Sequence, residues 1–250
     1  MSNLKKYCIA NWKMYVHGPE IVDFINKFKT FKLNSNAQVV LCPNYIDLHI
    51  LNNYIKRDSP LEYGAQDFSI YSNGSYTGDI SIDMLRNINC KYSIIGHSER
   101  RSNYDETDLL INQKLSILNS TSITPIICIG ETKEEKEAGI TFEVLNNQIN
   151  TIFKNIEILK NKNYIIAYEP RWAIGKGIAA DIQTIKSTSL FLKNIIKTIN
   201  ENYCNLYLLY GGSVNIDNAS EILKIDNIDG FLIGSSSVDP NIFYNIYNKF

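Results

Sequence analysis

With 250 residues, 44% of them apolar and 20% charged, the chain has the makeup of a soluble globular protein, long enough for two small domains or one large barrel-like one. A formal net charge of −1 offers no basic field for nucleic acid or acidic membranes, so any anionic ligand must be held by local groups. The odd cysteine count (Cys8, Cys42, Cys90, Cys128, Cys204) without a C-x-x-C pair excludes a disulfide framework or zinc knot and predicts reduced thiols in a cytoplasmic protein.

Runs rich in β-branched and aromatic residues recur along the chain, with helical patterns between them. "KKYCIA" comes first and leads into "NWK", with Asn11 and Lys13. "QVVLC" and "LEYGAQ" follow. Behind the third run lies "DFSIYSNGSYTGD", from Asp67 to Asp79, whose apolar and aromatic content is high for a solvent loop. Segments of that kind are usually functional or covered by a partner. "YSIIG" leads into "GHSERR", with His97 and Glu99, and "DETDLL" from Asp105 places acids where a helix dipole favours them.

"TPIICIG" precedes an apolar stripe of Phe142, Leu145, Ile149, Ile152, Phe153 and Ile156. "NYIIAYE" ends in Glu169, with Pro170, Trp172 and a glycine-bearing loop behind it. Asp181 is placed to cap a helix carrying Ile182, Ile185, Leu192, Ile195, Ile196 and Ile199. "LYLLYGG" and "DGFLIG" close the series with "YGGSV" and "GSSS", and Asp239-Pro240 reads as an N-cap followed by proline at the first helical position.

Most of these runs are continuously apolar, as parallel strands covered on both faces must be. Strand then helix, eight times in this length, predicts an α/β protein, a (β/α)8 barrel of eight parallel strands and outer helices. Without a Pro/Gly/Ser linker, residues 1–250 read as a single domain. A doubly wound open sheet is the alternative, since alternation alone does not show closure.

Barrels of this kind build their sites at the carboxyl ends of the strands. Singly, each candidate has an ordinary explanation: a solvated lysine, a structural histidine, a helix-start glutamate, a Gly-Gly-Ser turn. Together they would put a base, an imidazole, an ammonium and two glycine-rich anion sites at one mouth. "GHSER" misses the second glycine of a G-x-S-x-G elbow. "GKGIAA" lies too far behind its strand for a dinucleotide turn. With no H-E-x-x-H and no other metal-ligand spacing, neither cofactor nor metal is expected.

The segments "ANWKM", "GAQD", "YTGD", "IIGHSERR", "CIGE", "EAGIT", "AYEPRWAIGKG", "YGGSV" and "DGFLIG" resemble, in order, the signatures of the triosephosphate isomerase family, over effectively the full chain. The family is itself the standard illustration of acid–base tuning and lid closure in a TIM barrel. What the resemblance implies is an enzyme of glycolysis and gluconeogenesis. It would interconvert dihydroxyacetone phosphate and D-glyceraldehyde 3-phosphate as a homodimer, without cofactor, metal, nucleic acid or membrane.

The resemblance assigns the mobile base to Glu169 and the neutral donor to the enediolate oxygens to His97. It gives Lys13 fixed positive charge, Asn11 a role in orienting substrate, and Glu99 a place in the site as either relay or brace. Phosphate would rest on backbone N–H groups of Gly175, Ser213 and the Gly234-Ser235 turn. Pro170, Trp172, Ile174 and Lys176 would form a lid latched by Tyr210 and Ser213, with Leu232 helping Ile174 exclude water. Thr77 would reach the second subunit's Asn11, and Asp79 would pair with Arg100 across the interface. Arg171, Lys176, Ile178, Ser235 and Asp79 depart from the family's usual residues without removing a catalytic side chain. Two other readings are another phosphosugar isomerase or epimerase barrel, and a catalytically silent binding barrel.

Overall fold

The computed structural model describes residues 6–34, 36–56, 58–174, 179–199 and 205–250. Expectations placed on Gly175, Lys176, Ile178 and Cys204 lie outside them.

Eight strands form one closed, all-parallel barrel: β1 (Lys6–Asn11), β2 (Ala37–Cys42), β3 (Leu61–Ala65), β4 (Tyr92–Ile95), β5 (Thr124–Ile129), β6 (Tyr164–Tyr168), β7 (Leu206–Tyr210) and β8 (Gly230–Ile233). They pair in chain order, and β8 closes on β1 with Tyr7 opposite Gly230. The open-sheet alternative is thereby excluded. Around the barrel run α1 (Pro19–Lys29), α2 (Leu48–Tyr54), α3 (Ile82–Asn87), α4 (Ser98–Asn103), α5 (Asp108–Asn119), α6 (Lys133–Glu137), α7 (Thr141–Ile152), α8 (Ile182–Ile199), α9 (Ile216–Ile222) and α10 (Pro240–Tyr247).

The continuous apolar runs are explained by two cores. Tyr7 and Ile9 of β1 point into the barrel, while Cys8 and Ala10 face the helices, and the same alternation recurs around the ring. Inside, large rings sit at the amino ends of the strands: Tyr7 and Tyr207 meet edge to face at 5.1 Å, with Tyr92 beside them. Small side chains (Cys42, Cys128, Ala167) take the carboxyl-end positions. The barrel is therefore plugged at one end and leaves room at the other.

Helix starts follow local chemistry. Asp181 accepts from Thr184 N–H at 2.8 Å, and Asp239, ahead of Pro240, accepts from the N–H groups of Asn241 and Ile242, as their positions predict.

Several expectations need correction. Two strands, β4 and β5, are each followed by two helices, not one. Of the "DETDLL" acids only Asp108 lies in a first turn; Thr107 is the N-cap and Asp105 takes φ 52°, which breaks the helix between α4 and α5. Glu106 is buried and paired with Lys114 at 2.6 Å. In the α7 stripe, Phe142 is 44% exposed and stacks on Phe191, and Ile156 lies beyond the helix end. Phe68 is buried in its own chain, because the segment from Asp67 folds back, with Ser69 N–H donating to Ile80 O at 2.9 Å.

Candidate active site

The strand ends bring Asn11, Lys13, His97, Glu169, Ile174, Ser213, Leu232, Gly234 and Ser235 around one cleft of about 260 Å3, close to the lower end of typical small-ligand sites.

Glu169 follows β6 and is 2% exposed. Its backbone N–H donates to Ile129 O at 2.7 Å, which continues the β5–β6 ladder and fixes where the side chain leaves the barrel. One carboxylate oxygen accepts from the Ser98 N–H at 3.0 Å, at the amino end of α4. The other lies 3.3 Å from His97 Nε2. Gly211 makes room for this side chain, since a Cβ there would stand 2.8 Å from Glu169 Cγ. Gly130 does the same for its backbone: a Cβ would come within 1.7 Å of Glu169 O. Cys128, fully buried beneath, has its thiol pushed well up, first by burial and then by the Glu169 charge, so it stays protonated beside the carboxylate.

His97 caps α4, and its Nδ1 accepts the Glu99 N–H at 3.2 Å. An Nδ1 that accepts carries no hydrogen, so the neutral ring holds its proton on Nε2, facing Glu169 and the cleft. The tautomer follows from the fold itself. The Glu99 side chain works in the other direction, its carboxylate taking the Lys13 ammonium at 2.5 Å. Glu99 thus touches both neighbours, its backbone meeting His97 and its side chain meeting Lys13.

Lys13 adopts φ 50°, a left-handed backbone that costs a non-glycine residue about 1–2 kcal/mol. Asn11 Oδ1 accepts its N–H at 3.2 Å, and Gln66 Nε2 donates to its carbonyl at 2.9 Å. That turn sends the lysine across the mouth toward the β8 turn, where a Cβ on Gly234 would meet Lys13 Cε at 3.3 Å. Trp12 Nε1 donates to Ser237 O at 3.0 Å and ties the β1 end to the 3₁₀ turn Ser235–Ser237. The amino end of that turn borders the cleft.

Behind Glu169 the chain makes the 3₁₀ turn Arg171–Ala173. Trp172 Nε1 donates to Glu131 Oε1 at 2.8 Å, and the Lys136 ammonium lies over the indole at 3.2 Å from the ring centre. Burial raises the Glu131 carboxyl above its ordinary value. Ser213 Oγ donates to Ala173 O at 2.8 Å, and Tyr210 OH accepts the Ala180 N–H at 3.1 Å. The two expected latch residues thus hold the two described ends of the loop.

The expected interface residues sit apart from this cleft. Thr77 and Asp79 are exposed, Asp79 accepting from Ser69 Oγ at 2.5 Å. Arg100 Nε lies 2.7 Å from Asp67 Oδ2 and 3.3 Å from Glu106, ion-pair distances without hydrogen-bond alignment.

The sequence assigns no role to the Ser98 N–H or Gly211, nor to Gln66 and Glu131, although "GAQD" and "CIGE" contain them. "GHSERR" and "YGGSV" contain the first two, but a backbone donor and a missing Cβ show no function until Glu169 stands beside them. Among the described residues, no helix is long and apolar enough to cross a membrane.

A sequence model of the family described as Triosephosphate isomerase matches residues 6–250. Similar proteins named Triosephosphate isomerase include that of Aquifex aeolicus, 38% identical over 99% of this chain and 100% of the relative. Those of Dictyoglomus turgidum (39% identical, 97% and 98% covered) and Mycoplasma capricolum (40% identical, 98% and 98%) are similar over the same extent.

Proposed function

This chain belongs to the triosephosphate isomerase family and interconverts triose phosphates, and we propose that Glu169 moves the proton while His97 carries the charge of an enediolate. The observation that carries this mechanism is the pair itself: a buried carboxylate 3.3 Å from Nε2 of an imidazole whose Nδ1 accepts the Glu99 N–H.

Glu169 would take a proton from C1 of dihydroxyacetone phosphate, and the C–H electron pair would become the C1–C2 double bond. Charge then develops on the C2 oxygen, where His97 Nε2–H and the Lys13 ammonium stabilise it. Return of the proton to C2, with a hydroxyl proton passing between the oxygens, gives D-glyceraldehyde 3-phosphate. To reach carbon, the carboxylate must leave Nε2–H, which frees that donor for substrate oxygen at the moment it is needed. Phosphate would lie against Ser213, Gly234 and Ser235, whose backbone dipoles hold a dianion without a large net charge.

We read the loop behind Glu169 as a lid that keeps water from the enediolate, which would otherwise expel its phosphate. The contacts at Tyr210, Ser213 and Trp172 support this. Tyr210→Phe removes the acceptor of the Ala180 N–H and should raise inorganic phosphate released per isomerisation turnover by about fivefold or more. An unchanged ratio would remove Tyr210 from this role.

Homodimerisation has its own support. A second cleft shares Asn11, Lys13 and His97 with the first and is flanked by Met14, Tyr45 and Tyr104. Met14 is 90% exposed and neighbouring Ile46 88%, more than isolated surface residues explain. Tyr71 and Tyr76 stack at 3.7 Å and stiffen the segment that would bring Thr77 of a second copy to Asn11, with its Asp79 near Arg100. Sedimentation at micromolar concentration should show a dimer, and replacing residues 69–78 with a short polar turn should give a monomer of much reduced activity. A fully active monomer would refute the proposal. Residues 1–250 would act as one barrel domain in the cytoplasm, in keeping with the buried thiols of Cys8, Cys42, Cys90 and Cys128.

A further inference from the structure

We propose that Arg171 is a positioning residue for the base: through Ser102 it ties the backbone carrying Glu169 to the helix that carries His97. The inference rests on Glu169 being the base. Arg171 Nη2 donates to Ser102 Oγ at 2.7 Å, and the Arg171 N–H donates to Glu131 O at 3.0 Å. Ser102 stands in the last turn of α4. At the first turn of the same helix, Ser98 N–H holds Glu169 Oε2 at 3.0 Å, and His97 is the N-cap. The Glu169–Arg171 segment is therefore joined to α4 at both of its ends.

Such struts matter because of what α4 lacks. Its sequence, "SERRSN", has no apolar stripe, and Ser98 is its one buried residue. Packing cannot orient a helix with nothing to bury. Polar ties must do it. Arg101 supplies several, donating to Gly96 O at 2.8 Å, Cys128 O at 3.1 Å and Asp108 at 2.6 Å, all on the β4 and β5 side. Arg171 supplies the tie on the β6 side, where the base is. A helix of this length spans about 9 Å, so a tilt at Ser102 carries directly to His97 and Ser98. Proton transfer and charge stabilisation both depend on that placement, and a shift on the order of 1 Å is costly.

Arg171→Leu and Ser102→Ala should each lower kcat about fivefold, the loss typical of one solvent-exposed hydrogen bond, with KM nearly unchanged. The double variant should be no worse than Arg171→Leu alone, because both remove the same strut. Ser102→Thr, which keeps the hydroxyl, should restore wild-type kcat. Crystal structures should show the Glu169–His97 separation of 3.3 Å lengthened or scattered in Arg171→Leu. Unchanged kcat in Arg171→Leu beside an active wild type would overturn the role, as would losses that multiply in the double variant. Should the wild type fail to turn over triose phosphates, the mechanism above fails instead, and the Glu169–His97 separation alone decides: an unmoved pair in Arg171→Leu overturns the inference.

Discussion

Shortening Glu169 to aspartate lowers kcat by about 10²-fold, on the order of 3 kcal/mol in the barrier, and moves KM far less. The substitution keeps the charge and withdraws the carboxylate by one methylene. The side chain reaches the cleft from a backbone clamped to Ile129 O and Glu131 O, so the chain cannot advance to compensate. Phosphate would be held by other groups, Ser213, Gly234 and Ser235, so binding should survive. Glu169→Gln keeps length and loses the base, and falls further. If Glu169 only capped α4 through Ser98 N–H, the aspartate variant would lose stability and keep turnover. Thermal melts beside the kinetics separate these outcomes: a folded aspartate variant with near-wild-type kcat sinks the assignment. A pair with Arg171, the other structural explanation, is not what the protein builds, since that guanidinium reaches Ser102.

Replacing His97 by glutamine should lower kcat by about 10²–10³-fold and leave glycerol 3-phosphate binding nearly intact, because on the proposed mechanism the imidazole would act where charge develops and not where phosphate rests. An amide can donate or accept, but it cannot place its donor where Nε2 stands while accepting the Glu99 N–H from the position of Nδ1. The measurement is kcat beside the dissociation constant of glycerol 3-phosphate. Lost binding with unchanged kcat would make His97 a binding residue.

The barrel was legible because parallel strands buried on both faces must be apolar throughout, and eight such runs left little else to build. Asn11, Lys13, His97 and Glu169 were legible because polar residues at strand ends stand out against those runs. Residues whose meaning lies in a distant contact were less so. Phe68 belongs to its own core, and only the fold-back to Ile80 shows it. The break between α4 and α5 rests on a left-handed aspartate, Asp105, in a sequence that otherwise reads as one acidic helix start. Gly211 matters through the Cβ it lacks beside Glu169. The Arg171–Ser102 bond joins positions 69 residues apart, which no local pattern could announce.

The central claim is proton transfer through an enediolate by Glu169, and turnover of dihydroxyacetone phosphate in D2O tests it most directly. A base in exchange with solvent brings deuterium to C2 of the D-glyceraldehyde 3-phosphate formed and to C1 of the recovered substrate. Glu169→Gln, still folded and still binding glycerol 3-phosphate, should lose that exchange by the same factor as kcat. Undiminished exchange in Glu169→Gln would place the base elsewhere and contradict the mechanism.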